Sequence, residues 1–538
     1  MKTNNNFEYD FLIIGSGFGG SVAALRLAEK GYKVLVVEKG KWYSTKDFPK
    51  TNWNLKRWLW LPIFRFFGFF KITFYRHVGI LSGVGVGGGS LVYANTLPVP
   101  KKEFFEAESW SHLADWEKEL AEHYQTSQKM MGVVTSPRLE NGDKALQQLA
   151  REINKEDFFE PTQVALFFGE PDKIVKDPYF NGEGPDRLGC TFCGACMVGC
   201  RENAKNSLDK NYLYLAQKKG AEIKSESEVY DIIPIDNPAR HIQRYEAGGN
   251  DASEGYIVKW KSSTKIFKKK SEARVKGIVF AGGVLGTVPL MLKFKETSLP
   301  NLSEKVGYNI RTNSESLMGI VAPQKETVFS DGIAISSILH IDEHSHLEPV
   351  RYPSGSGFWR LQLAPVTVGN NVVTRLIKAI VEILKHPVRY FKVYFVRDWA
   401  KKTQILLYMR TISGTLRFTH GRFRMKSNIG EGALPTAFMP EAEKLAKRFG
   451  EIVNGTPGAL LSEIILGIPT TAHILGGATM GKNINEGVID KDNRVFGYKN
   501  MFVCDGSMIS ANPGVNPSLT ILTLSERALS KIEVKVSN

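Results

Sequence analysis

Residues 11–20 read FLIIGSGFGG, and this stretch decides the fold. The first four residues form a short apolar run of the kind that a parallel sheet buries on both faces. Gly15, Gly17 and Gly20 follow in G-x-G-x-x-G spacing. In this spacing the first glycine permits a tight turn, the second lets the backbone approach a pyrophosphate, and the third lets a helix pack on the strand. The start of that helix presents unpaired N–H groups to phosphates.

A second apolar run, residues 32–37, follows the helix and ends at Glu38. An acid at this point accepts hydrogen bonds from ribose hydroxyls. A glycine-rich turn without a ligand is the alternative interpretation, but strand, glycines, helix, strand and acid occur here in the expected order. The sequence therefore predicts a Rossmann-like dinucleotide-binding unit at the start of the chain.

Length and charge limit the remaining possibilities. A chain of 538 residues is too long for one core and predicts two or more domains. The net charge of +15 indicates an anionic partner. We expect an anionic membrane surface and no nucleic acid, because no recognised nucleic-acid module occurs.

The first strand begins too early to leave room for a signal peptide, and no apolar run reaches the roughly 20 residues of a spanning helix. We therefore expect a cytoplasmic protein, peripheral on the inner face of the membrane.

Two segments, residues 52–81 and 372–402, mix aromatic and aliphatic residues with lysine and arginine. In the second, Thr374, Arg375 and Lys378 fall on one stripe of a predicted helix, and Val373, Ile377 and other apolar residues cover a wide opposite face. A basic amphipathic helix with aromatic residues is typical of a membrane-surface anchor. Ordinary core packing is the alternative for both segments.

Four of the five cysteines, Cys190, Cys193, Cys196 and Cys200, are crowded into one loop. Their C-x2-C-x2-C-x3-C spacing is that of bacterial ferredoxins, and it predicts a [4Fe-4S] cluster. Zinc and free structural thiols are the alternatives, although structural zinc loops usually separate their cysteine pairs more widely.

The glycine-rich stretch GVGVGGGSLVYAN, residues 83–95, resembles the flavin-contacting segment of the glucose-methanol-choline (GMC) oxidoreductases, and within them the cholesterol oxidase branch. The stretches GIVFAGGVLGTVPLML, residues 277–292, and TTAHILGGATMG, residues 470–481, resemble further signatures of this family. The resemblance implies FAD as cofactor. With the first glycine turn and Glu38, it implies cofactor contacts from Gly88, Gly89, Ser90, Asn95, Val229, Asp505, Gly506, Asn516 and Pro517. The family's usual pair after SLV is replaced here by Tyr93 and Ala94, and Asn95 is the expected substitute.

The same resemblance implies that His473 and Asn516 are the catalytic pair. A neutral imidazole accepts a hydroxyl proton near neutral pH, and an amide beside it fixes the hydroxyl so that the C–H bond points at the flavin. A satisfied buried histidine is the alternative for His473. A helix cap before Pro517 is the alternative for Asn516. Glu315 and Glu348 are candidates for an extra base.

The fold expected from these motifs is α/β, with a Rossmann-like FAD-binding domain and an inserted α+β substrate domain. We assign residues 7–100, 201–310 and 468–538 to the first, and 101–200 with the cysteine loop 190–200 and 311–467 to the second. The expected function is FAD-dependent oxidation of an apolar alcohol, sterol-like or long-chain, at a membrane surface. A cluster would favour a dehydrogenase with an external electron acceptor over an oxidase. A membrane-associated electron-transfer flavoprotein and a non-redox flavin lyase or photoenzyme are the alternatives.

Overall fold

The structure is a computed structural model. It describes residues 7–235, 251–367, 371–411, 414–422, 424–432, 436 and 439–536.

The described α-helices are α1 (Phe18–Glu29), α2 (Leu55–Trp58), α3 (Lys102–Phe105), α4 (Trp116–Met131), α5 (Asn141–Glu152), α6 (Tyr212–Lys218), α7 (Val284–Lys295), α8 (Val372–Lys385), α9 (Pro387–Phe395), α10 (Pro440–Ile452), α11 (Leu461–Leu466) and α12 (Ser518–Ser530). The described strands are β1 (Tyr9–Ile14), β2 (Val34–Val37), β3 (Trp60–Leu61), β4 (Phe66–Phe67), β5 (Phe70–Phe74), β6 (Gly79–Gly83), β7 (Val134–Thr135), β8 (Phe159–Pro161), β9 (Gln163–Val164), β10 (Glu222–Lys224), β11 (Ser227–Pro234), β12 (Tyr256–Ser262), β13 (Lys270–Phe280), β14 (Ser316–Val321), β15 (Ser337–His340), β16 (Ser345–Val350), β17 (Leu363–Pro365), β18 (Thr403–Arg410), β19 (Leu416–Thr419), β20 (Lys426–Ile429), β21 (Thr456–Leu460), β22 (Thr470–Thr471) and β23 (Met501–Val503).

The first sheet is the dinucleotide-binding sheet that the opening motif predicts. Its order is β10-β2-β1-β13-β12-β11, and β23 pairs with the last residues of β13. The pairs from β10 through β13 and on to β23 are parallel, whereas β11 and β12 form an antiparallel extension. The central strand β1 is buried along almost its whole length, as its apolar sequence requires. Its carboxyl end and that of β13 therefore meet at one edge of the sheet.

The second sheet is antiparallel, in the order β17-β21-β14-β18-β16-β15-β8. Helices α5 and α10 cover one of its faces and pack on alternate residues such as Met318, Leu347 and Leu406. The opposite face carries Leu317, Val350 and Leu407, which line a large cavity. An antiparallel sheet with helices on one face is an α+β layer, so the expected fold class is confirmed.

Helix α4 lies within the range expected in the substrate domain but packs elsewhere. Its buried residues Trp116, Leu120 and Tyr124 belong to the same core as β1 and α12, next to the first sheet. Trp116 stacks on Trp110 with ring centroids 4.4 Å apart. Part of residues 101–200 therefore stabilises the dinucleotide-binding half of the molecule.

The described part of the chain has no helix that is both long and apolar enough to cross a membrane.

Candidate active site

One cavity of about 670 Å³ lies between the two sheets. Its first end is formed by the carboxyl edge of the first sheet, and its walls there are glycine-rich: Gly15, Gly17, Gly88, Gly89, Gly282 and Gly283. Its second end is apolar and aromatic, and is formed by Leu317, Tyr352, Trp359, Leu363 and Trp399. Glu315, His473 and Asn516 also line this cavity. The cavity thus joins a surface suited to a nucleotide with a surface suited to an apolar molecule.

The first glycine turn leaves room for a ligand. Helix α1 begins directly after Gly17, so no side chain caps the helix, and the N–H groups of its first turn are left for an anion. A Cβ atom added at Gly17 would meet only the Ala281 carbonyl oxygen, at 3.9 Å, and would point into the cavity. Gly88 (φ +52°) closes over this turn, because a Cβ there would lie 2.7 Å from the Gly17 Cα. Two backbone segments therefore form a cradle without side chains, and this cradle fits the pyrophosphate of FAD.

Two carboxylates at this end hold backbone turns together. Glu38 Oε2 accepts hydrogen bonds from the Ser16 N–H (3.0 Å) and hydroxyl (2.8 Å), and Oε1 accepts from the Gly40 N–H (2.8 Å). Burial raises the pKa of Glu38, and these hydrogen bonds offset part of the effect. Asp505 accepts from the Gly283 N–H (2.9 Å) and from the Thr287 hydroxyl, and so fixes the turn before α7. Both acids also line the cavity, and a carboxylate has lone pairs left for a ribose hydroxyl.

His473 forms a charged hydrogen bond with Glu315, which directly precedes β14. The distance from His473 Nδ1 to Glu315 Oε1 is 2.6 Å. The same carboxylate accepts from the Thr471 hydroxyl (2.7 Å) and from the Ala472 N–H (2.9 Å), so its position is fixed. Burial alone would lower the pKa of His473, but the Glu315 carboxylate outweighs it and raises that pKa. With Nδ1–H donating to Glu315, Nε2 is left as the proton acceptor, and the imidazole keeps 13% of its surface open toward the cavity.

Asn516 and Glu348 lie beside this pair. Helix α12 begins at Ser518 without a side-chain cap, and among the described residues nothing bonds to Asn516 Oδ1. The alternative role of Asn516 as a helix cap is therefore wrong. Glu348 is fully buried, and neither of its carboxyl oxygens has a hydrogen-bond partner of normal geometry in the described part of the chain. Burial raises the pKa of Glu348 to about 8, while His473 and the Asn516 side chain act in the opposite direction.

The structure brings most of the sequence-predicted residues to this cavity. The lining includes Gly15, Gly17, Glu38, Gly88, Gly89, Val229, His473, Asp505, Gly506, Asn516 and Pro517. Gly20, Ser90 and Asn95 are outside the lining that the described residues form. Gly20 instead lets α1 pack on the Gly15 carbonyl, and the Ser90 hydroxyl donates to the Gly87 carbonyl (2.7 Å). Asn95 is buried with φ +71°, and neither polar atom of its side chain has a partner among the described residues.

Sequence reasoning missed the aromatic end of the cavity. Tyr352 follows β16, Trp359 lies in a 3-10 helix (Phe358–Gln362) and Trp399 lies in a turn after α9, and the local sequence of each has no motif. Only Trp399 falls within residues 372–402, whose aromatic and basic residues predict a surface segment.

The four cysteines do not support the predicted [4Fe-4S] cluster. No group of three or more histidine, cysteine or acidic residues in the described part of the chain is arranged to hold a metal ion. Cys190 and Cys196 are buried in an apolar cluster with Val164 and Leu166, whereas Cys193 is exposed. Burial raises the pKa of the Cys196 thiol to about 11 and favours the neutral form over the thiolate that binds metals. The structure thus gives no support to Cys190, Cys193, Cys196 and Cys200 as cluster ligands, or to the preference for a dehydrogenase that depended on a cluster.

Comparison with known proteins identifies the family. Two GMC oxidoreductase models match residues 184–311 and 397–525, and a model of an FAD-binding domain matches residues 10–46. A cholesterol oxidase of Acinetobacter baumannii is 40% identical over 99% of this chain and 96% of its own length. A cholesterol oxidase of Mycobacterium tuberculosis (strain ATCC 25618 / H37Rv) is 39% identical over 97% of this chain and 91% of its own length.

More distant proteins are also similar to this chain over most of its length. A long-chain-alcohol oxidase of Arabidopsis thaliana is 24% identical over 98% of this chain and 68% of its own length. The crystal structure of pyridoxine 4-oxidase from Mesorbium loti superposes with a TM-score of 0.60 at 13% identity, covers 97% of this chain and 98% of that one, and shows the fold alone. The chain belongs to the GMC oxidoreductase family, in its cholesterol oxidase-like branch, and is an FAD-dependent alcohol oxidoreductase.

Proposed function

We propose that this enzyme oxidises an apolar alcohol, sterol-like or long-chain, which it takes from a membrane surface. The observation that carries the proposal is the Glu315–His473 pair, which lines the same cavity as a glycine-rich and an aromatic surface. The similarity to cholesterol oxidases and to a long-chain-alcohol oxidase supports the same substrate class. FAD, when bound along the glycine turns, supplies the acceptor for the hydride that leaves the alcohol carbon.

His473 is the proposed proton acceptor. Because its Nδ1 is engaged by Glu315, its Nε2 is available to take the hydroxyl proton. The carboxylate stabilises the imidazolium that forms, which a neutral partner would not do.

Asn516 is the proposed positioning group for the hydroxyl, because this residue lines the cavity and its buried side-chain oxygen has no hydrogen-bond partner among the described residues. Glu348 is protonated near neutral pH, since burial raises its pKa to about 8. It therefore acts as a neutral hydrogen-bonding group beside His473 and not as the first base.

Anaerobic bleaching of the FAD-loaded enzyme tests this assignment. We expect cholesterol or hexadecan-1-ol in detergent micelles to bleach the flavin. We expect His473→Ala to slow this reaction by about 10²–10⁴-fold, the usual contribution of a general base. His420→Ala is the matched control, because His420 is a partly exposed histidine paired with Glu296. Bleaching by a partner protein and by no alcohol would favour an electron carrier, and light-dependent turnover without bleaching would favour a flavin lyase or photoenzyme.

Helix α8 supports the membrane part of the proposal, because its apolar side faces outward. Ile377 is 56% exposed and Leu384 is 71% exposed. On the opposite side, Arg375 is buried, and its Nε donates to the Ile464 carbonyl oxygen (2.6 Å). A helix packed on a water-soluble protein buries its apolar side and exposes its charged side, which is the reverse of α8. An apolar medium is therefore the natural environment of the outer face of α8.

Helix α9 continues this apolar surface. Phe391 and Phe395 are exposed and stack with ring centroids 4.8 Å apart, next to exposed Arg389 and Lys392. The buried side of α9 contributes Val393 to the aromatic cluster that contains the cavity residues Trp359 and Trp399. The outer apolar surface therefore lies over the apolar end of the cavity. An alcohol leaving a bilayer would enter there with little exposure to water.

Residues 52–81 include a part that packs in the core and a part that is exposed, so each of the two interpretations of the sequence, core packing and surface contact, applies to one part. Trp58, Phe69 and Phe70 are buried in the same aromatic cluster, whereas Ile63 and Phe64 are exposed at a turn. Core packing thus accounts for most of this segment. The turn at Ile63 and Phe64 is a second proposed contact with lipid.

Sedimentation with vesicles tests the membrane contact. We expect the enzyme to sediment with vesicles of phosphatidylcholine and phosphatidylserine. Ile377→Glu combined with Leu384→Glu should weaken this binding about 100-fold or more, since each buried aliphatic side chain contributes about 1.5–3 kcal/mol. Phe267→Glu is the matched control, because Phe267 is equally apolar and highly exposed but lies between β12 and β13. Equal vesicle binding by the double variant and the control would refute the assignment of the surface.

A further inference from the structure

Strand β16 links the large cavity to a second, smaller one. Successive residues of a strand point to opposite faces, so His346, Glu348 and Val350 share the face turned toward the cavity. Val350 lines the large cavity, and His346 lines a separate cavity of about 20 Å³. Glu348 lies between them, and its cross-strand neighbour Leu407 also lines the large cavity.

His346 is a buried polar group that takes no part in the reaction described above, and Glu348 is its neighbour on the same face of β16. His346 Nε2 is 3.8 Å from Glu348 Oε1, which is slightly longer than a hydrogen bond. His346 Nε2 and both carboxyl oxygens lack hydrogen-bond partners within the described ranges. Buried polar groups are almost always paired, and an unpaired set costs stability, so its presence beside an active site indicates a function.

The small cavity opens toward the surface. Its other walls include the exposed residues Lys101, Glu103, Glu343 and His344, and the loop residue Val515, which directly precedes Asn516. A cavity of this size has room for about one water molecule. The wall between the two cavities thus contains Glu348 and the backbone next to Asn516, with solvent within reach on its far side.

Oxidation of an alcohol releases a proton that must leave this enclosed site. The C–H bond breaks with its electron pair, and the hydride goes to the bound cofactor. The O–H bond breaks to leave a carbonyl, and its proton goes to His473. His473 must lose that proton before the next turnover, because its raised pKa otherwise retains it.

We propose that Glu348 and His346 form a proton relay that carries this proton from His473 to solvent in the small cavity. The relay rests on the proposed role of His473. The neutral Glu348 carboxyl receives a proton on one oxygen and releases its own from the other oxygen to His346 Nε2. His346 in turn releases the proton on its Nδ1 to water, and rotation of the two side chains restores the starting state. Each transfer breaks one bond to hydrogen and forms another, so no oxidant or reductant is consumed.

The charges around His346 favour a neutral imidazole, which passes a proton on and does not retain it. Burial, together with smaller effects of His340, Lys101 and His473, lowers the pKa of His346 to about 3. The His340 ring lies 6.0 Å away on β15, with Nε2 3.3 Å from the Glu160 carboxylate. Glu348 is the group that faces His346 from its own strand. An imidazole in these surroundings stays neutral, with one nitrogen free to accept and the other carrying a proton to release.

The test compares single and multiple turnovers of the FAD-loaded enzyme. Ferricenium is the electron acceptor, because it takes electrons and no protons, so every proton must leave through the protein. We expect His346→Ala to change the anaerobic bleaching rate with cholesterol less than twofold. Steady-state turnover should fall about tenfold, and free imidazole should restore it. His346→Gln should show the same loss without rescue, because its side chain fills the space that imidazole would occupy.

His420→Ala should match the wild type in both measurements. Wild-type turnover in His346→Ala would refute the relay, and so would a loss of bleaching and turnover together that imidazole does not restore, since that indicates a structural effect. If His473→Ala abolishes bleaching while His346→Ala turns over normally, the relay alone is wrong. If no alcohol bleaches the wild-type flavin, the proposed function is wrong and the relay falls with it.

Discussion

Glu315→Gln is the substitution that tests most directly how the active site works. The Glu315 carboxylate accepts three hydrogen bonds, from Thr471, Ala472 and His473. A Gln amide has one accepting and one donating atom, so in either orientation its NH₂ group faces a donor. If the amide oxygen faces His473, the Ala472 N–H loses its acceptor. If the NH₂ group faces His473, the imidazole must adopt the other tautomer, and Nε2 then carries the proton.

The size of the expected change in the pKa of His473 follows from the charged hydrogen bond that is lost. A hydrogen bond to a charged group contributes about 1.5–3 kcal/mol, and about 1.4 kcal/mol corresponds to one pKa unit. We therefore expect the pKa of His473 to fall by about one to two units in Glu315→Gln. Since His473 must be neutral to accept a proton, the wild-type rate is lost as pH falls through its raised pKa, and the variant keeps its rate to lower pH. The limiting rate at high pH should fall about 100-fold, because the imidazolium is no longer stabilised.

The assay is the anaerobic bleaching rate of the FAD-loaded enzyme with cholesterol, measured from pH 5 to pH 9. Glu326→Gln is the matched control, because Glu326 is an exposed acid that lines neither cavity. An acid limb that stays at the same pH in Glu315→Gln, or that moves to higher pH, would show that Glu315 does not set the pKa of His473. The catalytic assignment of His473 would then lose its physical basis.

Three further predictions concern the cofactor site and stability. Gly17→Val should give a folded, colourless protein that does not retain FAD in gel filtration, because the side chain would occupy the cradle. Glu348→Gln should match the wild type in thermal unfolding near pH 4 and exceed it at pH 9. The reason is that the raised pKa of Glu348, about 8 against an ordinary 4.5, makes the wild type lose stability as pH rises between these values. Arg351→Met should lower the free energy of unfolding by about 3–5 kcal/mol in a denaturant titration, because it leaves the fully buried Asp143 carboxylate unpaired.

The local motifs of the sequence were sufficient for the first strand–helix–strand unit of the dinucleotide-binding sheet. Strand, glycine turn and helix are adjacent in the chain, so residues 9–38 carry their own structural information. The Glu315–His473 contact joins residues 158 positions apart, and no local pattern reports it. Glu315 was therefore a candidate base from the sequence, but the structure is needed to recognise it as the partner of the imidazole.

In strand β16, alternation of polar and apolar residues is a misleading guide to burial. His346 and Glu348 alternate with Leu347, and such a pattern usually predicts one face in water. Here all six residues are buried, because the polar face is turned toward the interior of the site. The cysteine spacing is informative only along the chain. In the fold, Cys190 and Cys196 pack in an apolar cluster with Val164 and Leu166, which the spacing does not predict.

The outward apolar face of α8 and α9 affects how the purified enzyme will behave. Away from lipid, exposed Ile377, Leu384 and Phe391 remain in contact with water, and the hydrophobic effect favours any contact that covers them. Particle size in plain buffer should therefore grow with protein concentration and return to that of one chain when a mild detergent is added. An apparent oligomer seen without detergent would then reflect a missing bilayer and not a quaternary structure.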